Sequence, residues 1–408
     1  MPCSGSSAHP GSACSVPPPP ACSSSCCPSC RRWAGASSIS AGYAPCQTVV
    51  TSPSSDPATG AGSRVPASDD RAPARTRRPP AGTTTGAAEG PGRPDRLLRR
   101  VGTATQLALG GLLASSPLID AAGPGGSPAF LVAGLLLGLP HGAVDHLVPA
   151  RLSERARPLA ARVALLVVYT AVAGAGLAAF LAAPDLALVG FLLVSVVHFG
   201  TADVAFHTER DRRPVRARVT AMLAYGGPPV VVPLALWRDQ VDPLLAAVAP
   251  RAPALLTVEV RALALATVLG AVAVTAIRYA RAGRARDAVE PVLLAGLFGT
   301  VPPALAVGAY FAAWHSCRHV ARLLRHDPRN TADLAAGRVG PPLRRFARQA
   351  AAPTAVAVAA LIVLVAWPGH RSDPLPATFA VLAALTLPHA VLVAWTDRRG
   401  PEPSGRTR

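Results

Sequence analysis

Apolar runs of roughly 20 residues, set apart by short arginine-rich stretches, fill the chain from Leu98 onward. As a helix rising about 1.5 Å per residue, such a run matches the hydrocarbon core of a bilayer, about 30 Å thick. Inside hydrocarbon every backbone N–H and C=O must be paired within the protein, and a single run does this by becoming helical. The expected fold is therefore all-α, a polytopic membrane bundle of about 8–10 segments. The runs fall at residues 102–121, 128–149, 161–182, 185–206, 217–237, 259–279, 291–325, 353–368 and 376–396. The 291–325 run is too long for one crossing, and Val301-Pro302-Pro303 interrupts it. Two short helices or a broken hairpin are expected there.

The formal net charge of +18 comes from arginine, since the chain contains no lysine. The arginines sit in short loops and in the N-terminal region, so the charge does not point to nucleic acid. Arginine-rich loops follow the runs ending near residues 149, 206, 279 and 325, while the alternate loops carry little positive charge. The positive-inside rule then places both termini in the cytoplasm, as expected of a multi-pass protein of the cell membrane. Without lysine there is no Schiff base, which excludes a retinal-binding rhodopsin. Residues 1–97 are rich in Pro, Ser, Gly, Ala and Arg, show no apolar periodicity and are expected to be a disordered tail. No apolar stretch after Met1 reads as a signal peptide. Residues 98–400 form the expected membrane-embedded domain, and 401–408 a short disordered tail. Seven of the eight cysteines lie in the first 46 residues, where Cys27 and Cys30 make a lone CxxC without the second pair a zinc site needs.

Six of the ten histidines lie inside apolar runs: His141, His146, His198, His315, His319 and His389. By the loop assignment each sits near the cytoplasmic end of its segment, about 10 Å or less from the boundary. Ionisable groups at that depth are functional candidates. His315 and His319, four residues apart, share one helix face with Cβ atoms about 6 Å apart, a spacing suited to two ligands of one metal. His141 and His198 complete a four-nitrogen set from neighbouring helices, and neutral imidazole suits iron, copper or zinc. Asp145 and Asp203 are placed to accept the second ring N–H of His141 and His198, with His146 as a further orienting or interfacial group. His389, alone in its segment, reads as a packing residue, as does Cys317. His207, His326 and His370 read as solvated loop residues. Tyr310, Phe311 and Trp314 are either interface aromatics or walls of a pocket for an elongated apolar ligand. No Glu-x-x-His pair appears, which argues against a carboxylate-bridged di-iron site.

The segments "GLPHGAVDH", "HFGTAD", "PPALAVGAYFAAWHSCRH" and "LPHAVLV", in this order, resemble the Brp/Blh family of bacterial and archaeal β-carotene 15,15′-dioxygenases. The resemblance spans roughly residues 98 to 396 and leaves the N-terminal 97 residues outside it. It implies an integral membrane enzyme that uses Fe(II) and O2 to split the central double bond of β-carotene into two retinal molecules. It also implies that the metal ligands are His141, His198, His315 and His319, the set that depth and spacing single out. Two other readings stand beside it: a membrane b-type cytochrome, and a non-enzymatic transporter whose His and Asp residues relay protons. Nothing in the sequence sets the oligomeric state.

Overall fold

The computed structural model describes residues 95–121, 128–148, 159–366 and 375–399. The expected tails, apart from Asp95, Arg96 and Leu97, the CxxC pair and His370 lie outside the described residues. Among the described residues there is no strand, and the chain is a succession of helices. They are α1 (Arg96–Ala114), α2 (Ser116–Ala121), α3 (Pro128–Gly138), α4 (Pro140–Ala143) with a 3-10 turn at Asp145–Leu147, α5 (Leu159–Ala182) and α6 (Pro184–Asp211). Next come α7 (Arg218–Gly226), α8 (Pro228–Leu236), α9 (Arg238–Val248), α10 (Ala252–Leu255), α11 (Val258–Arg281) and α12 (Ala285–Thr300). The last group is α13 (Pro303–Ala309), a π-helical turn at Tyr310–His315, α14 (Ser316–His326), a 3-10 turn at Pro328–Asn330, α15 (Thr331–Ala335), α16 (Gly340–Ala366) and α17 (Leu375–Arg399).

Helix starts follow local chemistry. Asp95 caps α1 by accepting from the Leu98 amide at 3.0 Å, which satisfies one of the free N–H groups of the first turn. Pro184, Pro228 and Pro303 occupy first-turn positions, where a missing N–H costs nothing. Arg212, at φ 53°, closes α6 in the left-handed region.

Six helices are long and apolar enough to cross a membrane: Ala129–Leu147, Leu159–Ala182, Pro184–Asp211, Val258–Arg281, Gly340–Ala366 and Ala377–Arg398. The pair α7 and α8, bent by 52° at Gly227, makes up to seven if it is one span. The sequence suggested a larger number, and the difference lies in two places. Helix α1 carries Arg96, Arg99 and Arg100 in its first turns, and the 291–325 run is divided between α12 and the α13–α14 rod by Val301 and Pro302. The break itself falls where the proline pair requires it.

The spans expose leucine, valine and isoleucine outward, as a lipid-facing surface does: Leu166, Leu193, Leu263, Val356 and Ile362 are all more than 60 % exposed. The interior is built by α1, α3, α6, α12 and the α13–α14 rod, with α17 against α5 and α6. Its largest apolar cluster joins Phe199, Tyr225, Leu294, Phe298, Tyr310 and Trp314. One crossing is very close. A Cβ on Gly134 of α3 would collide with the backbone of Gly308 on α13, and one on Gly308 with the Phe130 carbonyl. Two glycines thus let the helix leading to His141 lie directly against the helix leading to His315.

Candidate metal centre

Five imidazoles converge in one buried layer. His141 comes from α4, just past the Pro140 kink; His198 from the middle of α6; His315 from the π turn; His319 from α14; and His389 from α17, beside Pro388. None is more than 8 % exposed. Ring centroids lie 5.1 Å apart for His141 and His315, 5.5 Å for His141 and His319, and 5.2 Å for His198 and His315. His389 lies 5.0 Å from His141, 5.1 Å from His198 and 5.4 Å from His319. His315 and His319 stack at 6.4 Å, as two residues on one helix face should.

The ring nitrogens are sorted by their partners. His141 Nδ1 donates to the Gly138 carbonyl, with the Ser316 hydroxyl 3.1 Å away, which turns Nε2 toward the other rings. His389 Nδ1 donates to Asp145 Oδ2 at 2.8 Å. His315 Nε2, His389 Nε2 and both nitrogens of His319 are buried with no hydrogen-bond partner. Buried polar atoms are nearly always paired, so four unpartnered imidazole nitrogens in one layer need an explanation. A metal ion would account for three of them, one from each ring, and would leave the second nitrogen of His319. Donor atoms of His141, His315 and His389 lie within 4.8 Å of one another, and two donors on opposite sides of an ion at about 2.1 Å each lie about 4.2 Å apart. An all-imidazole set fits iron, copper or zinc.

The four histidines singled out in the sequence are therefore brought together, and a fifth joins them. His389 is buried in the same layer and hydrogen-bonded through Nδ1 to Asp145, a partner 244 positions away and beyond any sequence pattern. Asp145 does orient a ring of the cluster, but that ring is His389 rather than His141. The helix breaks at Val144, so the four-residue spacing to His141 loses its common face, and Asp145 also accepts from the Tyr169 hydroxyl at 3.1 Å. Asp203 does not reach His198, because five residues along an α-helix is about 140° around it. Its oxygens accept from Trp314 Nε1 at 3.1 Å and Arg318 Nη1 at 2.7 Å. His146 is exposed, outside the buried layer. Trp314 likewise leaves the layer for Asp203, whereas Tyr310 stacks on His315 and Phe311 meets its edge. Cys317 is exposed on the outer face of α14 rather than packed.

Behind the imidazoles lies a charged network that the sequence left unread. Arg318, directly before His319 and three residues after His315, binds Asp203 and, at 3.0 Å, Glu290 of α12. Its guanidinium lies 3.5 Å over the Trp314 ring. Glu290 also meets His207 at 2.9 Å and accepts from Gln106 at 2.6 Å. His207 is thus fully buried, not a solvated loop residue, because α6 continues to Asp211 beyond its apolar run. His326, 3.1 Å from Glu209, is also partly enclosed. A lone Glu290 at the head of "EPVLLAGLF" was the available signal, since an acid entering an apolar run needs a partner.

The family model for β-carotene 15,15′-dioxygenase matches residues 132–397, which contain all five histidines. The chain is 34 % identical over 287 residues to the probable β-carotene 15,15′-dioxygenase Blh of Halobacterium salinarum, covering 65 % of this chain and 82 % of that protein. It is 29 % identical over 305 residues to the probable β-carotene 15,15′-dioxygenase Brp of the same species, covering 66 % and 83 %. A β-carotene 15,15′-dioxygenase from uncultured marine bacterium 66A03 is 26 % identical over 185 residues, 45 % of this chain and 65 % of that protein. No solved structure matches. With the family model spanning well over half of the chain, and the histidine layer inside the matched region, the chain belongs to the β-carotene 15,15′-dioxygenase family of carotenoid-cleaving enzymes.

Proposed function

We propose that the chain cleaves β-carotene at its central 15,15′ double bond with O2, at a non-haem Fe(II) held by His141, His198, His315 and His319, and releases two retinal molecules. The observation that carries this reading is the layer of buried imidazoles with unpartnered nitrogens inside a helical membrane bundle of this family. Bound there, ferrous iron supplies the activation of O2 that oxidation of an unactivated polyene requires.

The chain's own residues do the rest. Neutral imidazoles give the ion no compensating charge, and burial keeps bulk water from the layer. Phe199, at 5.0 Å from His315, and Phe311, at 5.7 Å, line the layer with apolar rings suited to a hydrocarbon chain. Selecting one double bond of a uniform polyene is then a matter of placing it, because every neighbouring bond has the same chemistry. The substrate is an apolar rod comparable in length to the bilayer core, so we assign its entry to the lipid side, in the cell membrane, with both termini cytoplasmic. The haem reading is disfavoured by rings crowded within 5.0 to 5.5 Å of one another, which leaves no gap for a macrocycle between two axial histidines.

The test is expression in a bacterium that makes β-carotene, with pigments extracted for chromatography and a His315→Ala/His319→Ala variant beside it. Loss of orange colour with retinal appearing only in the unaltered chain is the expected result. Persistent β-carotene with folded, iron-loaded protein would refute the substrate; a protein that binds no metal would refute the site and favour the proton-relay reading.

A further inference from the structure

We propose that His389 is a fifth nitrogen donor of the metal centre, held in its ligating orientation by Asp145 and Tyr169. The inference rests on the reading that the imidazole layer binds a metal, and it changes what that metal can do.

The two ring nitrogens of His389 have opposite surroundings. Nδ1 donates to Asp145 Oδ2 at 2.8 Å, and the Tyr169 hydroxyl donates to the same oxygen at 3.1 Å. A carboxylate accepting at Nδ1 fixes the tautomer and leaves the lone pair on Nε2. That Nε2 is buried and has no partner. An unmade hydrogen bond in a closed interior costs about 1–3 kcal/mol. His207, whose Nδ1 is likewise unpartnered, has no other imidazole beside it among the described residues, whereas His389 has those of His141, His198 and His319 within 5.4 Å. Its donor atom forms, with those of His141 and His315, a group within 4.8 Å, and its ring is as close to His141 as any other in the layer. A carboxylate behind a ligating imidazole also raises its basicity.

The chemical consequence is a count. An ion held by five imidazoles would keep fewer positions open to other ligands than one held by four, and His389 would thereby restrict what else the site admits. Asp145 and Tyr169 act through His389 and are positioning residues.

The experiment uses the full chain in detergent, with Co(II) as the probe, because its visible absorption strengthens several-fold as coordination falls toward four. Bound metal per chain, Co(II) affinity and the absorption spectrum are read for the unaltered chain, His389→Ala, His389→Gly and Asp145→Asn. The expected result is a stronger, shifted Co(II) spectrum in both His389 variants, and return of the original spectrum when imidazole is added to His389→Gly. Asp145→Asn is expected to lower metal affinity about 10- to 100-fold, the range for loss of a group that orients a ligand. If His389→Ala does not fold, His389→Gln preserves the volume and the same spectra decide. Co(II) spectra and affinities unchanged in folded His389 variants would overturn the inference, as would an unaltered chain that binds no metal. A chain that binds metal and responds at His389 yet leaves β-carotene intact would uphold the fifth donor and refute only the substrate.

Discussion

Replacing Arg318 with methionine tests whether the charged network behind the imidazoles is part of the site's construction. The change keeps an unbranched side chain of similar length and removes the charge. Arg318 is 2 % exposed and bridges Asp203 at 2.7 Å and Glu290 at 3.0 Å. Glu290 would keep Gln106 and His207, but Asp203 would keep only Trp314. Removing one member of a buried pair costs about 3–5 kcal/mol, because a charge is left without compensation. The stacking of the guanidinium on Trp314 adds up to about 2 kcal/mol in a desolvated setting. Arg318→Met should therefore destabilise by at least about 3 kcal/mol. Arg318→Met/Asp203→Asn should cost less than the sum of the single changes, with a coupling of about 1–3 kcal/mol. Equilibrium unfolding in mixed micelles, followed by tryptophan fluorescence, measures all four corners of the cycle. Metal affinity read on the same samples should fall with stability, because Arg318 directly precedes His319 on α14. Singles that add to within about 0.5 kcal/mol, or an Arg318→Met protein as stable as the unaltered one, would refute the reasoning.

Other outcomes follow from the same geometry. Gly308→Ala should destabilise the fold and lower metal occupancy, since its Cβ meets the backbone of Phe130 and Leu131; Gly110→Ala, with open space around it, should be neutral or stabilise by up to about 1 kcal/mol in the same unfolding assay. Trp314→Phe removes one donor to Asp203 and should cost about 1 kcal/mol while leaving the Co(II) spectrum unchanged. Stripping metal with a chelator should abolish retinal formation; Fe(II) should restore it, and Zn(II) should bind without restoring it, as chromatography of the products will show.

What could be read in advance followed periodicity and depth. The apolar runs specify helices, and four histidines at matched depth specify a shared layer, because both are properties of one segment at a time. The break at Val301-Pro302 was legible for the same reason: proline acts on its own helix. What escaped were pairings made by tertiary structure. His389 looks solitary in "LTLPHAVLV" because Asp145 and Tyr169 arrive from other helices. Asp203 seemed close to His198 in sequence, yet helical phase turns it to Arg318. His207 reads as a solvated loop residue in sequence, yet packing closes it against Glu290, 83 positions away.

The π turn at Tyr310–His315 works as a phase buffer. It admits one extra residue into an otherwise continuous helical rod, and one residue of α-helix is about 100° of rotation. The rod has two registers. Its first part is set by the glycine crossing at Gly308, and its second by the imidazole face of His315 and His319. Deleting a single alanine from this turn would restore a regular helix with its two parts in nearly the same phase, because the turn already spreads one extra residue over an α-helix's rotation. Inserting or deleting a residue in the regular part of the rod would instead swing the glycine crossing against the imidazole face by about 100°. The turn is thus a place in this rod where a change of length is absorbed rather than passed on.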